Sequence, residues 1–185
     1  MLTFDKVMKL TRTISSPAAF EDPECELYWT ALSSLPDGST IVEVGLQYGR
    51  SSSIALQVAN ANRLRYVGCD PFESAEIFSE WEKMAKSIGL DFELYTHRSL
   101  QVAETFAAKS IAAILIDADH RYDAVRADCT AWLPKVQHGG LAMFHDYGRE
   151  SLPEVFKAVN EYMEQHKSEW VFGRSAGTLG LWIRQ

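Results

Sequence analysis

Thr40-Ile-Val-Glu-Val-Gly-Leu-Gln-Tyr-Gly-Arg-Ser-Ser-Ser-Ile-Ala-Leu-Gln-Val-Ala59 changes character twice within one short span. Thr40–Val44 is a β-branched run that predicts a strand. Gly45 to Gly49 predicts a loop, and Ser51–Ala59 a helix. The same alternation recurs downstream. Tyr66–Cys69 predicts a second strand, closed by Asp70-Pro71. Ile77, Phe78, Trp81, Met84, Ala85 and Ile88 then trace a helix that Gly89 ends. Phe92–Tyr95 predicts a third strand and Leu100–Ala107 a short helix. Ile111–Ile116 is an unbroken apolar run, suited to burial on both faces of a parallel sheet. Tyr122, Val125, Cys129, Trp132, Leu133 and Val136 follow at helical spacing, and Gly139-Gly140 separates them from a strand at Leu141–Phe144.

Toward the C-terminus, Ser151-Leu-Pro-Glu154 has the form of a capping box with Pro in the first turn. It opens a helix through Leu152, Val155, Phe156, Val159, Tyr162 and Met163. Trp170–Arg174 and Leu179–Ile183, around Ser175-Ala-Gly-Thr178, read as a hairpin. Upstream of the first strand, Phe4, Val7, Met8, Thr11 and Ile14 lie at helical spacing and Ser15-Ser16-Pro17 interrupts them. Leu27, Tyr28, Ala31, Leu32 and Leu35 mark a second helix, stopped by Pro36-Asp37-Gly38. The pattern predicts an α/β fold: a Rossmann-like, doubly wound, mostly parallel seven-stranded sheet with a C-terminal antiparallel hairpin. Residues 1–38 are expected to form a helical cap or lid, and 39–185 the core of what is one domain overall.

Composition agrees with this class. The chain has 185 residues, 46% hydrophobic and 23% charged, which suits a globular domain able to bury a core without metal or disulfide staples. Its 18 basic and 25 acidic residues leave a net charge of −7, unfavourable for nucleic acid or an anionic membrane. Three scattered cysteines with no CxxC spacing fit a reducing compartment. Met1–Lys6 is too polar for a signal peptide, and Ile111–Ile116 is far shorter than the ~20 residues a membrane span needs. A cytoplasmic location is expected.

Ligands in such sheets bind beyond the carboxyl ends of the strands, and the polar residues concentrate there. Gly45 and Gly49 let the chain turn sharply and let a ligand lie against bare backbone, with the next helix N-terminus open to an anion. The same glycines also serve a plain strand–helix turn. Asp70, about 20 residues on, is placed to accept hydrogen bonds from ribose hydroxyls, or to cap an Asp-Pro turn. Asp117-Ala-Asp119-His120 suits metal binding, cofactor binding or proton transfer, or else loop capping. His145-Asp146 ends the neighbouring strand and could join Asp117 around a divalent cation, or simply fix its loop.

Glu43-x-Gly45-x-x-x-Gly49, Asp70, Ile116-Asp-Ala-Asp-His-Arg-Tyr122 and Gly139-Gly-Leu-Ala-Met-Phe-His-Asp-Tyr147, in this order, resemble a class I S-adenosylmethionine-dependent methyltransferase. The narrower likeness is to small methyltransferases whose fourth strand ends in Asp-x-Asp-His, similar to the cation-dependent catechol and caffeoyl-coenzyme-A O-methyltransferases and to antibiotic-tailoring enzymes called cephalosporin hydroxylases. It covers about residues 25–185. The resemblance implies that Glu43, Gly45 and Gly49 line the methionine portion of the cofactor, with Gln47 and Ser51 in the same loop and helix start. It implies that Asp70 binds the ribose, that Phe72 packs on the adenine and that Ser99 meets its edge. Asp117 and Asp119 complete the cofactor set. Asp117, His145 and Asp146 match metal ligands, and His120 matches a lysine beside the acceptor hydroxyl.

Two departures matter. His145 stands where the family has an aspartate, and imidazole suits Mn²⁺, Fe²⁺ or Zn²⁺ better than Mg²⁺. His120 replaces the lysine, and its ordinary pKa of ~6.5 suits a general base at neutral pH. The expected function is methyl transfer to a hydroxyl of a small molecule, with His120 and Asp117 catalytic. Magnesium, manganese or iron is the candidate cation, and a homo-oligomer could complete the acceptor pocket. N-methylation without metal and a non-catalytic cofactor-binding domain are the alternatives. A nicotinamide-linked oxidoreductase lacks its GxGxxG, and an iron oxygenase on His120, His145 and a carboxylate is disfavoured by the loop.

Overall fold

The computed structural model describes residues 2–14 and 20–185. The Ser15-Ser16-Pro17 break lies outside them. The sheet is built from β1 (Thr40–Val44), β2 (Arg65–Cys69), β3 (Glu93–Tyr95), β4 (Ile111–Ile116), β5 (Val136–Phe144), β6 (Trp170–Ala176) and β7 (Leu179–Arg184). Their order is β3-β2-β1-β4-β5-β7-β6. The first five run parallel, and β7 enters antiparallel between β5 and β6. Helices α1 (Phe4–Thr11), α2 (Asp22–Ser33), α3 (Arg50–Asn62), α4 (Ala75–Ile88), α5 (Ser99–Ala103), α6 (Tyr122–Trp132) and α7 (Pro153–Gln165) fill the connections. This is the expected doubly wound architecture. Among the described residues, no helix is long and apolar enough to cross a membrane.

The period-2 alternation of the central strands sorts two cores. Ile41, Ala113 and Leu115 face one side, where α1 to α4 contribute Val7, Met8, Leu32, Ile54 and Trp81. Val42, Val44, Ile114 and Ile116 face the other, against Val125, Trp132, Val155 and Val159 of α6 and α7. The N-terminal helices therefore belong to a core layer of the fold. All three cysteines are free and buried. Burial pushes the Cys25 thiol to about 11 and those of Cys69 and Cys129 to about 12, so they act as small core residues.

Three local readings need correction. Helix α2 starts at Asp22, earlier than its apolar spacing indicates, because Glu21 and Glu24 form a reciprocal capping box with Pro23 in the first turn. Strand β5 begins at Val136 and runs through Gly139-Gly140. The register slips between Ile111↔Val136 and Ala113↔Leu141, so the glycines sit in an irregularity of the strand and do not precede it. The expected Ser151–Glu154 capping box is not formed. Leu152 is the N-cap, without a side-chain cap, and the Glu154 carboxylate accepts the Tyr122 amide at 2.6 Å instead.

Candidate functional site

A cavity of about 940 Å³ opens over the carboxyl ends of β1 to β5. Its lining runs from the glycine loop and Asp70 to Phe72, Ser99 and Leu100, to Ala124, Ala127 and Asp128 of the next helix, and to Asp117, Asp119, His120 and Asp146 at the ends of β4 and β5.

The glycine loop is held from two sides. Gly45 has φ +86°, and a Cβ there would lie 1.9 Å from the Asp117 carbonyl oxygen, so its bareness lets β1 and β4 close. Gly49 has φ +85° and serves as N-cap of α3, with Trp81 and Met84 of α4 against the face a side chain would occupy. Asp70 clamps the loop. Its Oδ2 accepts from the Leu46 and Gln47 amides at 2.7 and 3.0 Å, and its Oδ1 from the Phe72 amide at 2.6 Å. The carboxylate thus fixes the cavity floor as well as facing the cavity. Asp70→Ala should weaken cofactor-product binding by roughly 1.5–3 kcal/mol while the fold survives. Calorimetry with S-adenosylhomocysteine checks it; an unchanged dissociation constant removes Asp70 from the site.

Glu43 does not reach the cavity. It is fully buried on the α2–α3 face, where it accepts from the Tyr66 hydroxyl. Burial raises its carboxyl to about 7, against the lowering effect of Ser51, Tyr66 and Ser52. Gln47, Ser51 and Phe72 do line the cavity. Ser99 donates to Asp128 Oδ1 at 2.5 Å and accepts from the Trp132 indole at 2.7 Å. Asp119 is bound up with Arg121, whose guanidinium and amide hold its carboxyl at about 2.

At the β4–β5 end, the grouping of donor atoms is Asp117, His120 and Asp146, with His120 in the place expected for His145. His120 Nε2 lies 2.9 Å from Asp146 Oδ2 and 3.7 Å from Asp117 Oδ1. Yet it makes no well-directed hydrogen bond to either. Asp117 and Asp146 raise its pKa to about 9 despite partial burial. The two carboxylates thus favour the protonated ring. Asp146, in a left-handed conformation at φ +55°, is held well below the usual carboxylate range. Burial opposes this, but His120, His145 and Arg149 outweigh it.

His145 sits behind the trio, 4% exposed and stacked on Phe20 at 4.9 Å. Its Nδ1 is 3.2 Å from Asp117 Oδ1 and 3.4 Å from Asp146 Oδ2; its Nε2 is 3.4 Å from Glu24 Oε2. Sequence reasoning missed Glu24. It is 1% exposed on α2, and its Oε1 accepts from the amide and hydroxyl of Thr178 at 2.6 and 2.7 Å. It ties the N-terminal helix, the β6–β7 turn and the strand-end carboxylates into one network. Asp128, also missed, lies mid-helix, where no local pattern points to it.

The trio fits a divalent cation. Ligands bound at 2.0–2.2 Å and at right angles are about 3 Å apart, close to the 2.9 and 3.7 Å seen here. The three donor atoms lie within 4.8 Å of one another, and Nε2 becomes a ligand once it gives up its proton. One imidazole and two carboxylates suit Mn²⁺, Fe²⁺ or Zn²⁺.

Comparison with known proteins agrees with this architecture. A protein from Corynebacterium glutamicum has a TM-score of 0.76 at 15% identity, over 100% of this chain and 91% of its own. The S-adenosylhomocysteine-bound methyltransferase PaMTH1 of Podospora anserina gives 0.73 at 12%, over 98% and 87%. The O-methyltransferase TomG of Streptomyces achromogenes, involved in tomaymycin synthesis and solved with S-adenosylmethionine, gives 0.66 at 14%, over 98% and 89%. No curated protein matches the chain in sequence. Residues 42–147, from β1 through the His145-Asp146 turn, match the family described as methyltransferase domain, and the chain belongs to that family.

Proposed function

We propose that the protein transfers the methyl group of S-adenosylmethionine to a hydroxyl of a small molecule. The observation that carries this reading is the continuity of one cavity from the glycine loop and Asp70 to the Asp117–His120–Asp146 cluster. A flat, sugar-bearing cofactor fits the first part, and a hydroxyl needing deprotonation fits the second. An amine acceptor needs no such cluster.

In this reaction the acceptor oxygen attacks the methyl carbon in line with the sulfur. The carbon–oxygen bond forms as the carbon–sulfur bond breaks, and the hydroxyl proton leaves. Alignment alone can supply ~7–11 kcal/mol of the barrier. Asp117 is the proton acceptor in the cation-free protein, since it lines the cavity while His120 already carries a proton. The His120 imidazolium orients the Asp117 and Asp146 carboxylates. Asp117, His120 and Asp146 would hold a divalent cation in place of the His120 proton; when bound, it supplies Lewis acidity that lowers the pKa of the acceptor hydroxyl.

S-adenosylhomocysteine is expected to bind at one site per chain and to raise the melting temperature. At 100 times its dissociation constant it should add about 2.7 kcal/mol of stability. Heat with NAD but none with S-adenosylhomocysteine overturns the reading. Thermal-shift screening of hydroxylated acceptors with the cofactor product present, with and without Mn²⁺, then identifies the second substrate.

A further inference from the structure

Glu24 is buried where a helix-capping glutamate has no need to be. The capping box of α2 uses only the Glu21 amide, which donates to Oε2 at 2.5 Å. Three further contacts come from elements far along the chain. The amide and hydroxyl of Thr178, 154 positions away in the β6–β7 turn, donate to Oε1 at 2.6 and 2.7 Å. His145 Nε2, 121 positions away at the end of β5, lies 3.4 Å from Oε2. The turn is shaped for this carboxylate. Gly177 has φ +54°, and a Cβ there would lie 2.7 Å from Oε1 and 2.8 Å from Cγ of Glu24. The Thr178 carbonyl also accepts from the amide of Gly148, two residues past Asp146, at 3.2 Å.

His145 carries this fixed point forward. Neither it nor Glu24 lines the cavity. The Nδ1 side of the ring meets Asp117 Oδ1 at 3.2 Å and Asp146 Oδ2 at 3.4 Å, the same two oxygens that face His120 Nε2. Phe20 stacks on the ring, so it is held on its face as well as at both nitrogens. Only a carboxylate serves every partner of Glu24. Both its oxygens accept, and Thr178, Glu21 and His145 donate. A glutamine would turn its N–H groups toward one pair of donors or the other.

We infer that Glu24 is a positioning residue for the candidate cation site: through His145 it fixes the Asp117 and Asp146 oxygens at the spacing that a divalent cation requires. This rests on the cation reading of the trio given above. Buried partners behind metal ligands orient them and commonly set metal affinity by an order of magnitude or more. Here they make that affinity depend on two elements outside the parallel strands, α2 and the β6–β7 turn.

The test measures Mn²⁺ affinity, by calorimetry and by the electron paramagnetic resonance of free Mn²⁺, on the wild type and on four variants. Glu24→Gln should weaken binding about tenfold to a hundredfold. Gly177→Ala keeps the charge of Glu24 but displaces its carboxylate, a flexible end that can move without opening the backbone, and affinity should fall in the same direction. His145→Asn keeps an N–H for Asp117 and breaks the link to Glu24. Adding Glu24→Gln to His145→Asn should therefore change affinity by less than about twofold. Thermal melts confirm folding, since a role confined to joining α2 to the hairpin lowers the melting temperature and leaves affinity unchanged. Unchanged affinity in folded Glu24→Gln overturns the inference and leaves the cation reading intact. So does a full loss that persists on the His145→Asn background, or wild-type affinity in Gly177→Ala, because either assigns the effect to charge alone. A wild type that binds no Mn²⁺ retires the cation reading and this inference together.

Discussion

Gly45→Ala should lose about 4 kcal/mol or more of stability, lowering the melting temperature by roughly 10–15 °C for a chain of this size. A Cβ there would sit 1.9 Å from the Asp117 carbonyl oxygen, 2.5 Å from its carbon and 2.9 Å from the Ala118 nitrogen. All three are backbone atoms, so no side chain can rotate aside. Relief requires β1 and β4 to part, and their pairing from Ile41↔Ala113 to Val44↔Ile116 is the centre of the sheet. The left-handed φ of +86° adds a further cost to any side chain. Gly89→Ala is the control: its φ is +74°, but nothing lies within 4 Å, so it should lose only the conformational part. Urea midpoints of the two variants decide the matter. Equal losses would show that the close approach to Asp117 carries no energy.

The same residue shows how far the sequence can be read. β1 and β4 are legible to the residue, because β-branched and apolar runs bounded by Gly, Ser and Asp leave no competing pattern. A parallel sheet then places Asp70, Asp117, His120 and Asp146 at one edge by topology alone. Contacts between segments without local signatures are not legible. Glu24 meets His145 across 121 positions of sequence, and Ser99 meets Asp128 across 29. Nothing in the residues around Glu24 separates a helix-capping glutamate from one that also anchors a buried histidine, and it does both. Glu154 is the reverse case: its spacing from Ser151 matches a capping box, but the Tyr122 amide of α6 competes for the carboxylate and wins. The exchange of His120 for His145 in the donor trio has the same origin. Both histidines end up near Asp117 and Asp146, but His120 lines the cavity while His145 is buried between Phe20 and Glu24.

His145→Ala should cost about 3–5 kcal/mol near pH 6, and the loss should shrink as the pH climbs toward 8. The ring is 4% exposed; burial alone would lower its pKa, but Asp117, Asp146 and Glu24 raise it to about 12. A group whose folded-state pKa lies above its unfolded value of ~6.5 stabilises fully below 6.5 and loses that contribution as the pH climbs toward 12. At pH 7.5 the imidazolium is thus a buried positive charge, alongside His120 and Arg149, against three carboxylates of which Glu24 and Asp146 are themselves buried. Removing it leaves those carboxylates facing one another in a poorly solvated space, where like charges and burial both raise their pKa values. The depressed carboxyls of Glu24 and Asp146 contribute stability that is lost only as the pH falls below their unfolded values of ~4, outside this window. The two stability curves should therefore lie furthest apart near pH 6 and draw together toward pH 8. Urea denaturation of both proteins between pH 5 and 8, with chelator present so that no metal replaces the missing charge, measures the gap directly. A gap that stays constant across this range would mean that His145 contributes only its packing on Phe20, and the carboxylates would then need another source of compensation.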